Sequence, residues 1–237
     1  MLAASLVLLL AGCGPAPGYP PAAPIPPDQV VAFSTLYSQN CAACHGANGR
    51  DGPAMELANP EYQALIGDAA MTKIVSSGMS GSLMPSFAIS SGGTLTDKQI
   101  AALVSGMRQR WAASNAFNGA TPPPYLQTKP GDPHQGEQLY KTRCEICHQP
   151  SPQQIASSTY LALVGDQTLR TLIVAGRPDI GQPDWRHDSP GGKSSTPLSG
   201  PDVDDIVAYL ATLRNPNAAS NGAAPASAPA HSASTRR

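Results

Sequence analysis

Cys41-Ala42-Ala43-Cys44-His45 recurs as Cys144-Glu145-Ile146-Cys147-His148, and this doubled Cys-x-x-Cys-His pentapeptide decides how the rest of the chain is read. The spacing is that of covalent haem attachment. Each sulfur adds to one vinyl group of a porphyrin, two intervening residues let both reach the same edge, and the next histidine lies beneath the iron. Cys41, Cys44, Cys144 and Cys147 are therefore expected to hold two haem c groups, with His45 and His148 as proximal iron ligands. One such motif alone could equally be a redox dithiol or half a zinc site. Two motifs about a domain apart argue against both, since a four-cysteine zinc site leaves the two histidines without a common role.

Five cysteines are present, and the fifth, Cys13, closes an apolar run from Leu2 to Ala11. That run is too short to span a bilayer as a helix but suits the apolar region of an export signal. Leu10-Ala11-Gly12-Cys13 resembles the lipobox of bacterial lipoproteins, which implies cleavage before Cys13 and lipidation of its thiol. The alternative is an ordinary cleaved signal with an unlipidated Cys13, and only Met1 and Leu2 stand where a basic segment is usual. The expectation is an exported lipoprotein on the periplasmic side, held at a membrane surface by its acyl chains without crossing the bilayer.

Composition then divides the chain. Residues 1–13 read as the signal, 14–27 as a proline-rich extended stalk, 28–114 as domain one, 115–133 as a linker with Pro122-Pro123-Pro124, 134–214 as domain two, and 215–237 as a disordered tail. The two domains read as repeats. Tyr62-Gln63-Ala64-Leu65-Ile66-Gly67-Asp68 returns 98 residues later as Tyr160-Leu161-Ala162-Leu163-Val164-Gly165-Asp166, and the same offset carries Gly78 onto Gly176 and Pro85 onto Pro183. The haem motifs and the last helices are offset by 103 instead. Thr96 with Gln99, and Ser199 with Asp202, mark the starts of two closing helices, Ile100-Leu103-Val104-Met107 and Val203-Ile206-Val207-Leu210. Strand signals of period two are absent, so the expected class is all-α.

The order of helix, Cys-x-x-Cys-His, loop, middle helix, Gly-x-x-Met-Pro-like loop and terminal helix resembles class I cytochromes c, over about residues 28–111 and 134–214. The resemblance implies two tandem class I cytochrome c domains. It also implies a methionine from the later loop on the far face of the iron, where Met84 in Gly81-Ser82-Leu83-Met84-Pro85 matches and Met79 is the rival. Met71 and Met107 read as core.

Domain two departs from this pattern, for it contains no methionine, and Gln182 falls at the register of Met84. Four readings stand open: His187 as a nitrogen ligand, the Gln182 amide or a water, a ligand from another chain or domain, or a five-coordinate iron. Tyr62, Tyr160, Phe87 and Trp185 are expected to pack against porphyrin or core, and Arg50, Arg177 and Arg186 to reach haem propionates or solvent.

Three function classes follow. The leading one is a membrane-anchored dihaem cytochrome carrying electrons between respiratory-chain components, whose partners are redox proteins or a membrane complex of which it is a subunit. The alternative is a dihaem oxidoreductase, peroxidase-like or sulfur-compound oxidising, working at an open domain-two haem. A gas sensor is the third, and the chain has no output domain for it. Fifteen basic residues against sixteen acidic ones imply neither nucleic acid nor an anionic surface as partner.

Overall fold

The computed structural model describes residues 24–148, 155–187 and 196–214. Cys13, most of the stalk and the tail lie outside them. The described chain is helical: α1 (Phe33–Asn40), α2 (Ala42–His45), α3 (Pro60–Leu65), α4 (Asp68–Ser77), α5 (Asp97–Trp111), α6 (Pro133–Arg143), α7 (Ser158–Leu163), α8 (Asp166–Ala175) and α9 (Gly200–Thr212). No strand forms among the described residues, which carry two isolated bridges, Ala88 with Leu95 and Arg177 with Gln182. No described helix is long and apolar enough to cross a membrane.

Two apolar clusters account for this order. Leu36, Tyr37, Ile66, Met71, Ile100, Leu103 and Met107 form the first, and Tyr140, Leu161, Leu169, Val174, Val203, Ile206 and Leu210 the second. Helices α1, α3, α4 and α5 surround one, α6, α7, α8 and α9 the other. In α5 the residues at 100, 103, 104 and 107 are buried, and in α9 those at 203, 206, 207 and 210. Each fully buried Leu or Ile contributes about 1.5–3 kcal/mol. Both closing helices start in capping boxes, with Gln99 returning to the Thr96 amide at 3.0 Å and Asp202 to the Ser199 amide at 2.7 Å.

The crossing of first and last helix is solved twice with the sizes exchanged. A Cβ on Gly106 of α5 would lie 2.1 Å from the Phe33 ring of α1, so a large residue on α1 requires a small one on α5. A Cβ on Gly136 of α6 would lie 1.9 Å from the Asp205 carbonyl and 2.9 Å from Tyr209 of α9. Gly136 stands 103 residues after Phe33, and Tyr209 103 after Gly106. The bulky partner has moved to the other helix while the close approach is kept.

The segment read as a linker is packed. Phe117 is buried in the second cluster. The Pro124 carbonyl accepts from Arg170 Nε and Nη2 at 3.0 and 2.8 Å, and Arg170 also forms a buried ion pair with Asp204 of α9. The two halves meet directly as well. Asn59 Oδ1 accepts from the Tyr62 amide at 2.9 Å and caps α3, while its Nδ2 donates to the Gly176 carbonyl at 3.2 Å. Ser157 caps α7 at the equivalent position, 98 residues on.

Candidate haem sites

The C-terminus of α1 delivers the first motif. Cys41 leaves helical geometry at φ −119°, ψ −37°, its amide bonded to the Tyr37 carbonyl at 2.9 Å, and the His45 amide returns to the Cys41 carbonyl at 2.9 Å. The second motif repeats this turn. Cys144 has φ −115°, ψ −39°, and its amide bonds to the Tyr140 carbonyl at 2.9 Å. The His148 amide bonds to the Cys144 carbonyl at 2.9 Å. All four thiols are unpaired. Burial pushes both the Cys41 and Cys144 thiols up to about 11. Cys44 and Cys147 are exposed. Among the described residues no group of three or more His, Cys, Asp or Glu side chains is placed to hold a bare metal ion.

His45 is nearly buried, and its Nδ1 lies 2.8 Å from the Met55 carbonyl. A carbonyl only accepts, so Nδ1 carries the proton and donates, and Nε2 keeps its lone pair for a metal. Burial lowers the ring's proton affinity, partly offset by that hydrogen bond, which favours the neutral ligating form. Burial acts in the same direction on His148. Tyr37 Oη donates to the Gly46 carbonyl at 3.0 Å and ties the motif to the loop behind it.

On the far side of each half a loop leaves a glycine that no other residue can replace. Gly78 closes α4 at φ +71°, ψ −171°, and Gly176 closes α8 at φ +70°, ψ −178°, a region essentially restricted to glycine. A Cβ on Gly78 would lie 2.6 Å from the Met84 carbonyl oxygen and 2.9 Å from the Pro85 carbonyl carbon. On Gly176 it would lie 3.0 Å from the Gln182 oxygen and 2.9 Å from the Pro183 carbon. The register of Met84 on Gln182 therefore holds in three dimensions. Met84 is half-buried on a turn braced by Ser82, whose hydroxyl accepts from the Met84 amide at 3.1 Å and donates to the Met79 carbonyl at 2.9 Å. Met79 thus contributes backbone to the turn that presents Met84. Met71 and Met107 are buried in the first core as expected.

In the second half one cavity brings together Cys144, Cys147 and His148 with Gln182 and His187. Its walls are apolar, from Leu169, Leu172 and Ile173 of α8 to Leu198, Ile206 and Leu210 around α9. Tyr160 lines it too, while Trp185 lies in the neighbouring core, its indole N–H buried and without a hydrogen-bond partner among the described residues. An orphaned buried donor beside an apolar cavity with two thiols and an imidazole fits a porphyrin carrying acidic edge groups.

The three arginines expected at propionates or in solvent each lie beside a carboxylate, with Arg50 still exposed. Arg50 lies 3.5 Å from Glu56, Arg177 2.6 Å from Asp179, and Arg186 pairs with Asp184. Sequence reasoning missed the polar seam these pairs belong to. Glu56 is buried directly after Met55, and burial first, then Asp179 across the seam between the halves, raises its proton affinity. Nothing local in the sequence signals that contact.

Residues 28–105 match the family described as cytochrome c oxidase, cbb3-type, subunit III. Among solved structures, the chain is similar to the KustC0563 c-type cytochrome, at 29% identity over 34% of this chain and 98% of that one, with a TM-score of 0.30. It is also similar to the Kuenenia stuttgartiensis reducing HAO-like protein complex Kustc0457/Kustc0458, at 18% identity over 77% of this chain and 96% of that one, with a TM-score of 0.44. No curated protein matches.

Proposed function

We propose that this chain is a class I c-type cytochrome that carries two haem c groups and passes electrons between redox partners while tethered to a membrane, a reading supported by the family match over residues 28–105. The observation that carries the dihaem reading is that Cys41 and Cys144 share nearly the same backbone dihedrals and that the His45 and His148 amides close the two motifs with the same hydrogen bond. Haem, when bound, supplies an iron that cycles between ferrous and ferric states. The chain's residues govern that cycle. Cys41 and Cys44, and Cys144 and Cys147, hold the two porphyrins covalently. His45, oriented by the Met55 carbonyl, and His148 present neutral imidazoles, and Met84 is the further ligand of the first haem. With Met84 and His45 as its ligands, the first haem would favour the ferrous state relative to one held by two nitrogen ligands. The apolar walls of the second cavity limit the solvent reorganisation each electron transfer must meet.

Cys13 carries the lipid, and residues 14–27 form the stalk between membrane and protein, facing the periplasm. The partners are redox proteins or a membrane respiratory complex of which this chain is a subunit. Pyridine haemochrome analysis and intact-mass measurement of the exported protein test the reading: two haems per chain and a diacylglycerol mass on Cys13 are expected. One haem per chain refutes the dihaem form, and an unmodified N-terminus at full activity refutes the tether. Rapid reduction of the protein by quinol-oxidising membranes supports the carrier role, and its absence with every donor tried refutes it.

A further inference from the structure

We propose that the iron above His148 is left open by this chain and takes a small uncharged ligand, diatomic or water-sized, on the side of Gln182. The inference rests on the dihaem reading. Gln182 lines the cavity that holds Cys144, Cys147 and His148, and its Nε2 donates to the Leu172 carbonyl at 2.8 Å. That carbonyl belongs to the last turn of α8 and also accepts the Gly176 amide at 3.0 Å, so the glutamine side chain serves as a second cap on the helix end. A carbonyl partner fixes which end of the amide is nitrogen.

The consequence for ligation is chemical. A neutral amide nitrogen offers no lone pair, and here it is already used. The amide oxygen is a hard, weak donor to haem iron beside the thioether of Met84 or an imidazole. Asp184 is engaged by Arg186 at 2.9 Å through Nε, and the same carboxylate accepts the Arg186 amide at 2.8 Å. His187 is exposed, and its amide bonds to the Asp184 carbonyl at 3.0 Å, which turns the backbone at the rim. The residue also lines the cavity, so the His187→Ala variant is what separates histidine ligation from an open iron. Leu169, Leu172 and Ile173 give this part of the cavity an apolar wall that suits small neutral molecules, with Arg143 and Asp184 also on the lining. Domain one differs at the one position that matters: its loop makes the same close approach to its glycine but carries Met84.

The test uses the intact holoprotein. Haems per chain are counted, the ferric spin state is read by EPR, and carbon monoxide is titrated into the reduced protein. Two haems, one of them high-spin, and one carbon monoxide bound per chain are expected. His187→Ala and Gln182→Ala should keep that stoichiometry, while Gln182→Met should abolish carbon monoxide uptake and render both haems low-spin. Two haems with no carbon monoxide uptake overturn the proposal and leave the dihaem reading intact. A His187→Ala variant that gains a carbon monoxide site absent from the parent overturns it in favour of histidine ligation. A count of one haem removes the dihaem reading and the proposal together. The measurements on the unaltered chain decide the matter even where Gln182→Met fails to fold.

Discussion

On the proposed ligation, replacing Gly78 with alanine should detach Met84 from the first haem while leaving the second untouched. At φ +71°, ψ −171° a residue with a Cβ is strained by about 1–3 kcal/mol. The new methyl group would also start 2.6 Å from the Met84 carbonyl oxygen, inside any tolerated contact, and that neighbour is backbone that cannot swing aside. Relief comes from moving the 79–87 loop outward, the motion that withdraws the thioether. If the loop recovers the strain by letting go, the ratio of ligated to unligated Met84 falls about 5- to 150-fold. The assay is EPR and absorption of the ferric protein, with the midpoint potential of the first haem, which should fall as the thioether is lost. Gly92→Ala is the control. That glycine also has a positive φ, +85°, but a Cβ there meets nothing within 4 Å, so it should cost about 1–2 kcal/mol of stability and leave the spectrum unchanged. A Gly78→Ala protein with the parent spectrum, potential and stability would refute the argument that this close approach positions Met84.

Asp204→Ala should cost about 3–5 kcal/mol, because it strands the buried Arg170 guanidinium, and denaturant unfolding followed at the second haem checks it. The paired change Arg170→Met with Asp204→Leu should cost much less than Asp204→Ala. Asn59→Ser keeps the α3 cap, as Ser157 does for α7, but drops the donor to the Gly176 carbonyl. A loss of about 0.5–1.5 kcal/mol in the unfolding free energy is expected. Glu56 is held above its ordinary value of 4.5 by burial first and the Asp179 charge second. The folded chain therefore retains a proton there that the unfolded chain releases, and stability falls as pH rises from about 4.5 through the raised value. Glu56→Gln should remove that slope from a pH series of thermal unfolding curves, and an unchanged slope would rule Glu56 out as its source.

Much of this protein is written in short-range signals. The Cys-x-x-Cys-His turns, the capping boxes of α5 and α9 and the 3–4 residue apolar spacing of those helices each depend on residues within one or two turns of each other. Local backbone geometry then suffices to fix them. The repeat, too, was visible in one chain, because the glycine and proline of the distal loop are demanded by a backbone approach that both halves share.

Tertiary structure alone decided the rest. Arg177 and Arg186 take carboxylates two residues away, but the approach of buried Glu56 to Asp179 was fixed only once the halves had met. The proline-rich segment at 115–133 reads as a spacer by composition, yet its backbone carbonyls hold Arg170, since a buried guanidinium takes acceptors wherever the fold supplies them. Gln182 is the sharpest case. Its identity announces a missing methionine, but the sequence left its role open between ligand and bystander. The fold sends its amide nitrogen to the Leu172 carbonyl, ten residues back along the chain, and a hydrogen bond set by the path of a loop is not encoded in any local pattern.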